Sequence, residues 1–333
     1  MINQRFNQNV LVTGGAGYIG SHTCKALFEE GYTPVVIDNL VTGHEWAVKW
    51  GPLEKGSFGD SQFITDLIAR YNPIAILHFA ASIDVAESVK DPFKYYQNNT
   101  INTFELLKVI KTNPIPFIFS STCATYGTPL QPTLDENHLQ NPINPYGSSK
   151  LMVEKMLIDA SRIFNIPYTI LRYFNACGAD SACEIGESHP IETHLIPLTV
   201  QAALGQRTSL TVFGTDYETP DGSCIRDYIH VTDLANAHIL ALKRLLNQQS
   251  SECINLGIGH GYSVLEITEL VKKITGSDFK VEYADRRAGD PAILIANASK
   301  ALKLLRFMPK HSNLTNIIQT AWSWQLKESL ACK

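Results

Sequence analysis

The segment from Val10 to Asp38 constrains what this 333-residue chain can fold into more than any other part of it. Val10-Leu11-Val12-Thr13 is a short strand-forming run, and Gly14-Gly15-Ala16-Gly17-Tyr18-Ile19-Gly20 follows it directly. Ile19 to Glu30 then has the apolar spacing of a helix, which Gly31 closes. Strand, glycine turn and helix in this order gather backbone amides and the positive end of a helix at one point, where a pyrophosphate binds. Gly14, Gly17 and Gly20 allow the tight turn, the approach of backbone to the phosphates, and the packing of helix on strand. A second run, Pro34-Val35-Val36-Ile37, ends in Asp38, 21 residues after Gly17. A carboxylate there binds a ribose 2′-hydroxyl and repels a 2′-phosphate, so the expected dinucleotide is NAD rather than NADP.

Strands and helices go on alternating for half the chain. Residues 74–79, 117–121 and 168–172 read as buried parallel strands, and helical patterns lie at 61–71, 95–113 and 147–164. The expected fold is α/β, a doubly wound parallel sheet of the Rossmann type over residues 1–175. After Asn175 the pattern loosens into loops bearing glycine, proline and histidine, with short helices near 194–205 and 263–275. Residues 176–333 are therefore expected to form a smaller, mixed α/β substrate lobe, with a strand near 253–257 returning to the main sheet.

Asn144-Pro145-Tyr146-Gly147-Ser148-Ser149-Lys150 supplies the chemistry. Asn144 can cap a helix and Pro145 suits its first turn, which puts Tyr146 and Lys150 on one face at i and i+4. An ammonium near a phenol favours the phenolate, so Lys150 is expected to draw the Tyr146 pKa down from about 10 and make Tyr146 a proton shuttle. Thr122 follows a strand, at the carboxyl edge where such sheets bind ligands, and its hydroxyl can hydrogen-bond a reacting oxygen.

Charge and composition exclude other classes. The formal net charge is -4 and no basic stripe interleaves with aromatics, so nucleic acid is not an expected partner. Residues 1–9 are polar, unlike a secretion signal, and no apolar run approaches the ~20 residues of a membrane span, so a cytoplasmic protein without a membrane partner is expected. Seven scattered cysteines, with no Cys-x-x-Cys, suit a reducing compartment and suggest no metal site.

Taken together the segments resemble the extended short-chain dehydrogenase/reductase family over nearly the whole chain. They are Gly14 to Gly20, Asp38-Asn39, Gly59-Asp60, His78 to Ala81, Tyr95 to Asn99, Phe119 to Gly127, Tyr146 to Lys150, Tyr173-Phe174-Asn175 and Gly222 to His230. The resemblance is to those members that invert C4 of UDP-hexoses. It implies that Tyr146, Lys150 and Thr122 are catalytic and that Asp60 faces the adenine. By the same resemblance Phe79, Ala80, Ala81, Asn98 and Phe174 line the dinucleotide, and Tyr18, Ile19 and Asn39 belong to the matched cofactor segments. On the substrate side it implies Arg226 and Arg287 at the pyrophosphate and Asp290 near the uridine ribose. Asn175, His194, Leu195 and Phe213 would line the phosphates, sugar and uracil, and Leu294 would gate the pocket beside the sugar's C2 substituent.

By their own chemistry either arginine also fits a surface ion pair and Leu294 a core strand. Family dehydratases and decarboxylases carry an acid just after the Thr122 position, where this chain has Cys123 and Ala124. That favours oxidation at C4 and return to the same carbon, with NAD regenerated in place. A homodimer through two long helices is implied as well. Three alternatives stay open: a 4-epimerase of N-acetylated or pentose nucleotide sugars, a reductase or dehydratase, and a non-catalytic NAD sensor.

Overall fold

A computed structural model describes residues 8–287 and 290–331; Ala288, Gly289 and Cys332 of the segments above lie outside them. Seven parallel strands form the main sheet, in the order β3 (Leu53–Lys55), β2 (Thr33–Asp38), β1 (Asn9–Thr13), β4 (Ala75–His78), β5 (Phe117–Thr122), β7 (Tyr168–Tyr173) and β12 (Glu252–Leu256). The chain runs outward from β1 to β3 and then reverses to β4, so a switch point lies between β1 and β4. Thr13 at the end of β1 pairs with both Ile37 and His78, and the glycine turn opens into this crevice.

The strands read as continuous apolar runs because both faces are covered. On one face α1 (Tyr18–Glu29) and α8 (Val231–Leu246) bury Leu27, Leu234 and Leu242 against Val10, Val36 and Leu77. On the other, α2 (Ser61–Tyr71), α5 (Asn102–Ile110) and α6 (Pro145–Phe164) bury Ile64, Leu106 and Val153 against Leu11, Ile76 and Phe119. The expected helix at 95–113 is more articulated. After α3 (Val85–Lys90) the chain forms α4 (Pro92–Tyr95), a π-helical turn (Tyr96–Ile101) and then α5.

A second lobe holds the sheet β13 (Tyr262–Ser263), β10 (Ile225–Arg226), β15 (Ile293–Ala296) and β6 (Thr133–Leu134). Two strand pairs complete the structure, β8 (Asn175–Cys177) with β11 (Tyr228–His230) and β9 (Leu210–Phe213) with β14 (Val281–Ala284). Helices α7 (Leu195–Ala203), α9 (Val264–Thr275) and α11 (Leu314–Ala331) share this lobe's core, while α10 (Ser299–Leu305) packs with α8.

The halves interleave. The anticipated strand at 253–257 is β12, pairing with β7 from Glu252↔Thr169 to Leu256↔Tyr173, while β6 crosses the other way into the second lobe. Helix α8 was not apparent in the sequence, although ten of its sixteen residues are buried and it shares one face of the sheet with α1.

Candidate active site

The glycine turn shows which glycines the fold itself requires. Gly14 has φ +73, and a Cβ there would sit 2.6 Å from the Ala80 nitrogen. A Cβ on Gly20 would lie 2.1 Å from the Gly14 carbonyl, so α1 could not seat on the turn. Gly17 differs: it caps α1 without a side-chain bond, and the Gly14 carbonyl at 3.4 Å is the nearest atom to its missing Cβ. Protein packing therefore does not demand glycine at 17, whereas a phosphate lying on the helix amides would. At the end of β2, Asp38 accepts from the Ala16 amide at 3.1 Å and the Leu40 amide at 2.9 Å. Burial pushes its carboxyl up and these amides pull it back. Open backbone at the helix start, with a carboxylate at the next strand end, fits NAD.

The other cofactor candidates fall into two groups. Ala80 packs on the turn through Gly14, and Asn98 sits in the π-helical turn, donating to Asn99 Oδ1 at 3.1 Å; Ala81 is half-buried nearby. The second group has structural work of its own. Asp60 spends Oδ1 capping α2, the Phe79 ring lies 4.7 Å from His238 of α8, and Ile19 packs on the core. Asn39 accepts from the Val41 amide at 3.2 Å, and the Tyr18 hydroxyl donates to the Gly178 carbonyl at 2.5 Å. Phe174 lies in a small cluster with Cys123, Tyr126, Leu134, Leu294 and Ala296.

The catalytic candidates converge where β5 ends and α6 begins. Asn144 accepts from the Gly147 amide at 2.8 Å and Pro145 takes the first turn, so the helix starts where the cap chemistry puts it. The side chain of Thr122, the last residue of β5, lies close enough to the Tyr146 phenol to pull its pKa down. Lys150 is 3% exposed and donates to the Ser120 carbonyl at 2.8 Å, with its ammonium 5.0 Å over the Phe119 ring.

This geometry corrects the expected pKa relation. Lys150 reaches down to the strand instead of across to the phenol, and Tyr146 is not lowered: burial pushes it up to about 12, opposed by the Thr122 side chain. Lys150 itself is brought down to about 7 by burial, partly offset by Glu154. Cys123 is pushed up to about 12 by burial, which suits a packed thiol and not a nucleophile.

Residues to which the sequence reading gave no site role hold this edge in place. Asn99 accepts from the Ser82 amide at 2.8 Å and donates to Ser149 Oγ at 3.0 Å, tying the loop after β4 to α6. Glu154, one turn beyond Lys150, accepts from Ser121 Oγ and forms a buried, two-pronged ion pair with Arg172. Its spacing of four from Lys150 was the available signal.

In the second lobe the candidates stand in pairs. Arg226, 9% exposed, donates to Asp290 Oδ1 at 3.2 Å and to the Pro291 carbonyl at 2.8 Å. Arg287 lies 4.0 Å over the Phe213 ring, and Asn175 donates to the Asp227 carbonyl at 2.9 Å. Leu294 is opposite Arg226 in the β10–β15 register and touches the Cys123 and Phe174 cluster, within reach of the catalytic strand. His194 caps α7, whose first residue is Leu195, and its Nδ1 lies 2.5 Å from Glu187 Oε1. Burial disfavours charge on that ring, but Glu187 overcomes this and raises it to about 9.

A dinucleotide crevice and a tyrosine, lysine and threonine set at one sheet edge define a class that agrees with the family comparison. The family model described as "NAD dependent epimerase/dehydratase family" matches residues 10–257, and the chain belongs to that family. More particularly, it is 51% identical over 97% of its length to a UDP-glucose 4-epimerase of Rhizobium meliloti, of which it covers 98%. The UDP-glucose 4-epimerase of Brucella ovis, solved in complex with NAD, superposes with a TM-score of 0.93 at 49% identity, covering 95% of this chain and 98% of that one. A Stenotrophomonas maltophila UDP-glucose-4-epimerase with bound NAD and formylated UDP-arabinopyranose gives 0.94 at 37% identity, over 97% and 99% of the two chains. Among the described residues no helix is long and apolar enough to cross a membrane.

Proposed function

We propose that this chain interconverts UDP-glucose and UDP-galactose as an NAD-dependent 4-epimerase. The observation that carries the reading is the meeting of the Thr122 and Tyr146 side chains at the carboxyl edge of β5, with Lys150 buried on the Ser120 carbonyl and no carboxylate in the next two positions. Gly17 and Asp38 would hold the cofactor's phosphates and ribose. When bound, NAD supplies reversible oxidation at the sugar C4. Tyr146 takes the O4 proton and gives it back, Thr122 fixes O4 against the phenol, and buried Lys150 sets the local charge. Cys123 and Ala124 provide no further acid, so elimination has no positioned proton donor.

Arg226 and Arg287 would meet the diphosphate, with Asp290 aligning the first. The UDP portion would then stay held while the oxidised sugar turns over and presents its other face. Purified protein given UDP-galactose and no added cofactor should form UDP-glucose. Strict dependence on added NADPH would overturn the reading.

Placement of Leu294 beside Cys123 favours one second reading, a broader 4-epimerase that also admits N-acetylated sugars. The proposal includes a homodimer in the cytoplasm. Val89, Phe93, Ile101, Phe104 and Met152 are exposed on α3, α4, the π-helical turn, α5 and α6, which pack side by side. Light scattering on the purified protein tests the dimer.

A further inference from the structure

Between β8 and α7 the chain reads Glu187-Ser188-His189-Pro190-Ile191-Glu192-Thr193-His194, two Glu-x-His units in eight residues. The loop brings one ligand atom from each of Glu187, His189, Glu192 and His194 to within 4.8 Å of one another. The four side chains form a closed ring in which carboxylate and imidazole alternate, Glu192 turning a different oxygen to each histidine. His194 Nδ1 lies 2.5 Å from Glu187 Oε1 and 3.7 Å from Glu192 Oε1. His189 Nδ1 lies 3.3 Å from Glu192 Oε2 and 3.6 Å from Glu187 Oε1.

A tetrahedral ion with bonds of about 2.0 Å keeps its ligands about 3.3 Å apart. Three edges of the ring are already near that length, and the short fourth is the hydrogen bond an ion would replace. An ion displaces the protons that these imidazoles hold, and the two neutral rings and two carboxylates then carry a charge of about −2, which a divalent cation cancels beside glutamate side chains that are nearly buried. The ligands are also braced. Glu192 Oε1 accepts from the Thr193 and His194 amides, both at 2.8 Å, and Trp324 and Gln325 of α11 donate to the Glu187 carbonyl at 3.0 and 3.2 Å.

We propose that Glu187, His189, Glu192 and His194 form a site for a divalent transition metal ion, Zn²⁺ foremost. Mixed nitrogen and oxygen donors suit Zn²⁺ or Co²⁺ and disfavour Mg²⁺ and Ca²⁺, which take oxygen. Four protein ligands leave no open position, so the ion is structural. It clips the loop to the start of α7, where His194 and Leu195 face the substrate side, and through Glu187 to α11.

The test uses full-length protein without a histidine tag, stripped with chelator and titrated with Zn²⁺ against a chromophoric competitor, and in parallel with Co²⁺. We expect one equivalent of Zn²⁺, the intense visible absorption of tetrahedral Co²⁺, and a midpoint of thermal unfolding raised by a few degrees. His189→Asn and Glu192→Gln, made separately, should each weaken binding at least tenfold while bound NAD and far-ultraviolet circular dichroism stay as in wild type. Binding weaker than about 100 µM, or binding unchanged in both variants, would overturn the proposal, the latter by pointing to the cysteines. Should one variant fail to fold, the other decides.

Discussion

The catalytic edge and the second lobe treat charge in opposite ways. At the end of β5, burial acts with little compensation: Tyr146 is driven up to about 12 and Lys150 down to about 7, both towards neutrality. In the second lobe, charges are paired in the free protein: Arg226 with Asp290 and Arg286 with Asp216. A group that exchanges a proton must change its charge cheaply near neutral pH; desolvation brings Lys150 into that range and moves Tyr146 away from it. Groups that grip a dianion must stay charged, and pairing keeps them so and fixes their direction. On the proposed function, one lobe serves proton transfer and the other binding.

Substitutions should separate the two lobes cleanly. Tyr146→Phe should lower kcat by ~10²–10⁴-fold or more, leaving bound NAD and thermal stability intact; activity within a few-fold of wild type would mean another group is the base. Arg226→Met removes a charge-assisted donor and leaves Asp290 unpaired. Such bonds contribute about 1.5–3 kcal/mol, so KM should rise ~10–150-fold with kcat much less affected, and an equal fall in kcat would erase the distinction between the lobes.

Leu294→Tyr tests the boundary between them. Measuring kcat/KM on UDP-glucose and on UDP-N-acetylglucosamine should show selection against the N-acetyl sugar rising by at least tenfold, within the ~10–200-fold that pocket shape supplies. An unchanged ratio would make Leu294 a packing residue only.

The smallest effect is on stability. Lys150 has its pKa lowered on folding from 10.5 to about 7, so between those values the unfolded chain binds more protons and stability rises with pH. Lys150→Met should lose activity yet be no less stable at pH 7. Its advantage over wild type should shrink as the pH is raised, by at most about 1.4 kcal/mol per unit. Parallel unfolding curves at every pH would show that the buried lysine carries no such strain.

Legibility in the sequence followed the range of the interactions. The turn from Gly14 to Gly20, the Asn144 cap and the bounds of α2 are local, and residues a few positions apart specify them. Helix α8 is harder to read, because the apolar spacing of Leu234, Ala237, Ala241 and Leu245 follows loops bearing glycine and histidine and its partners lie about two hundred residues earlier. The π-helical turn has no periodicity to betray it. The i, i+4 rule put Tyr146 and Lys150 on one face but could not say that Lys150 would reach down to Ser120, since that depends on β5 beneath the helix. The paired charges of the second lobe join residues up to 70 positions apart, and no spacing in the sequence announces them.

The crossing of β6 and β12 between the lobes sets a timetable for synthesis. Strand β7 ends at Tyr173, but its outer neighbour β12 is complete only at Leu256. At translation speeds of about 5–20 residues per second, the β7 edge waits several seconds on the ribosome for its partner. Until α8 and β12 emerge, one face and one edge of the nascent sheet are open, the kind of surface that chaperones hold and that aggregates when they do not. The main sheet therefore gains its last strand only after β8, β9, β10 and β11 of the second lobe have been made.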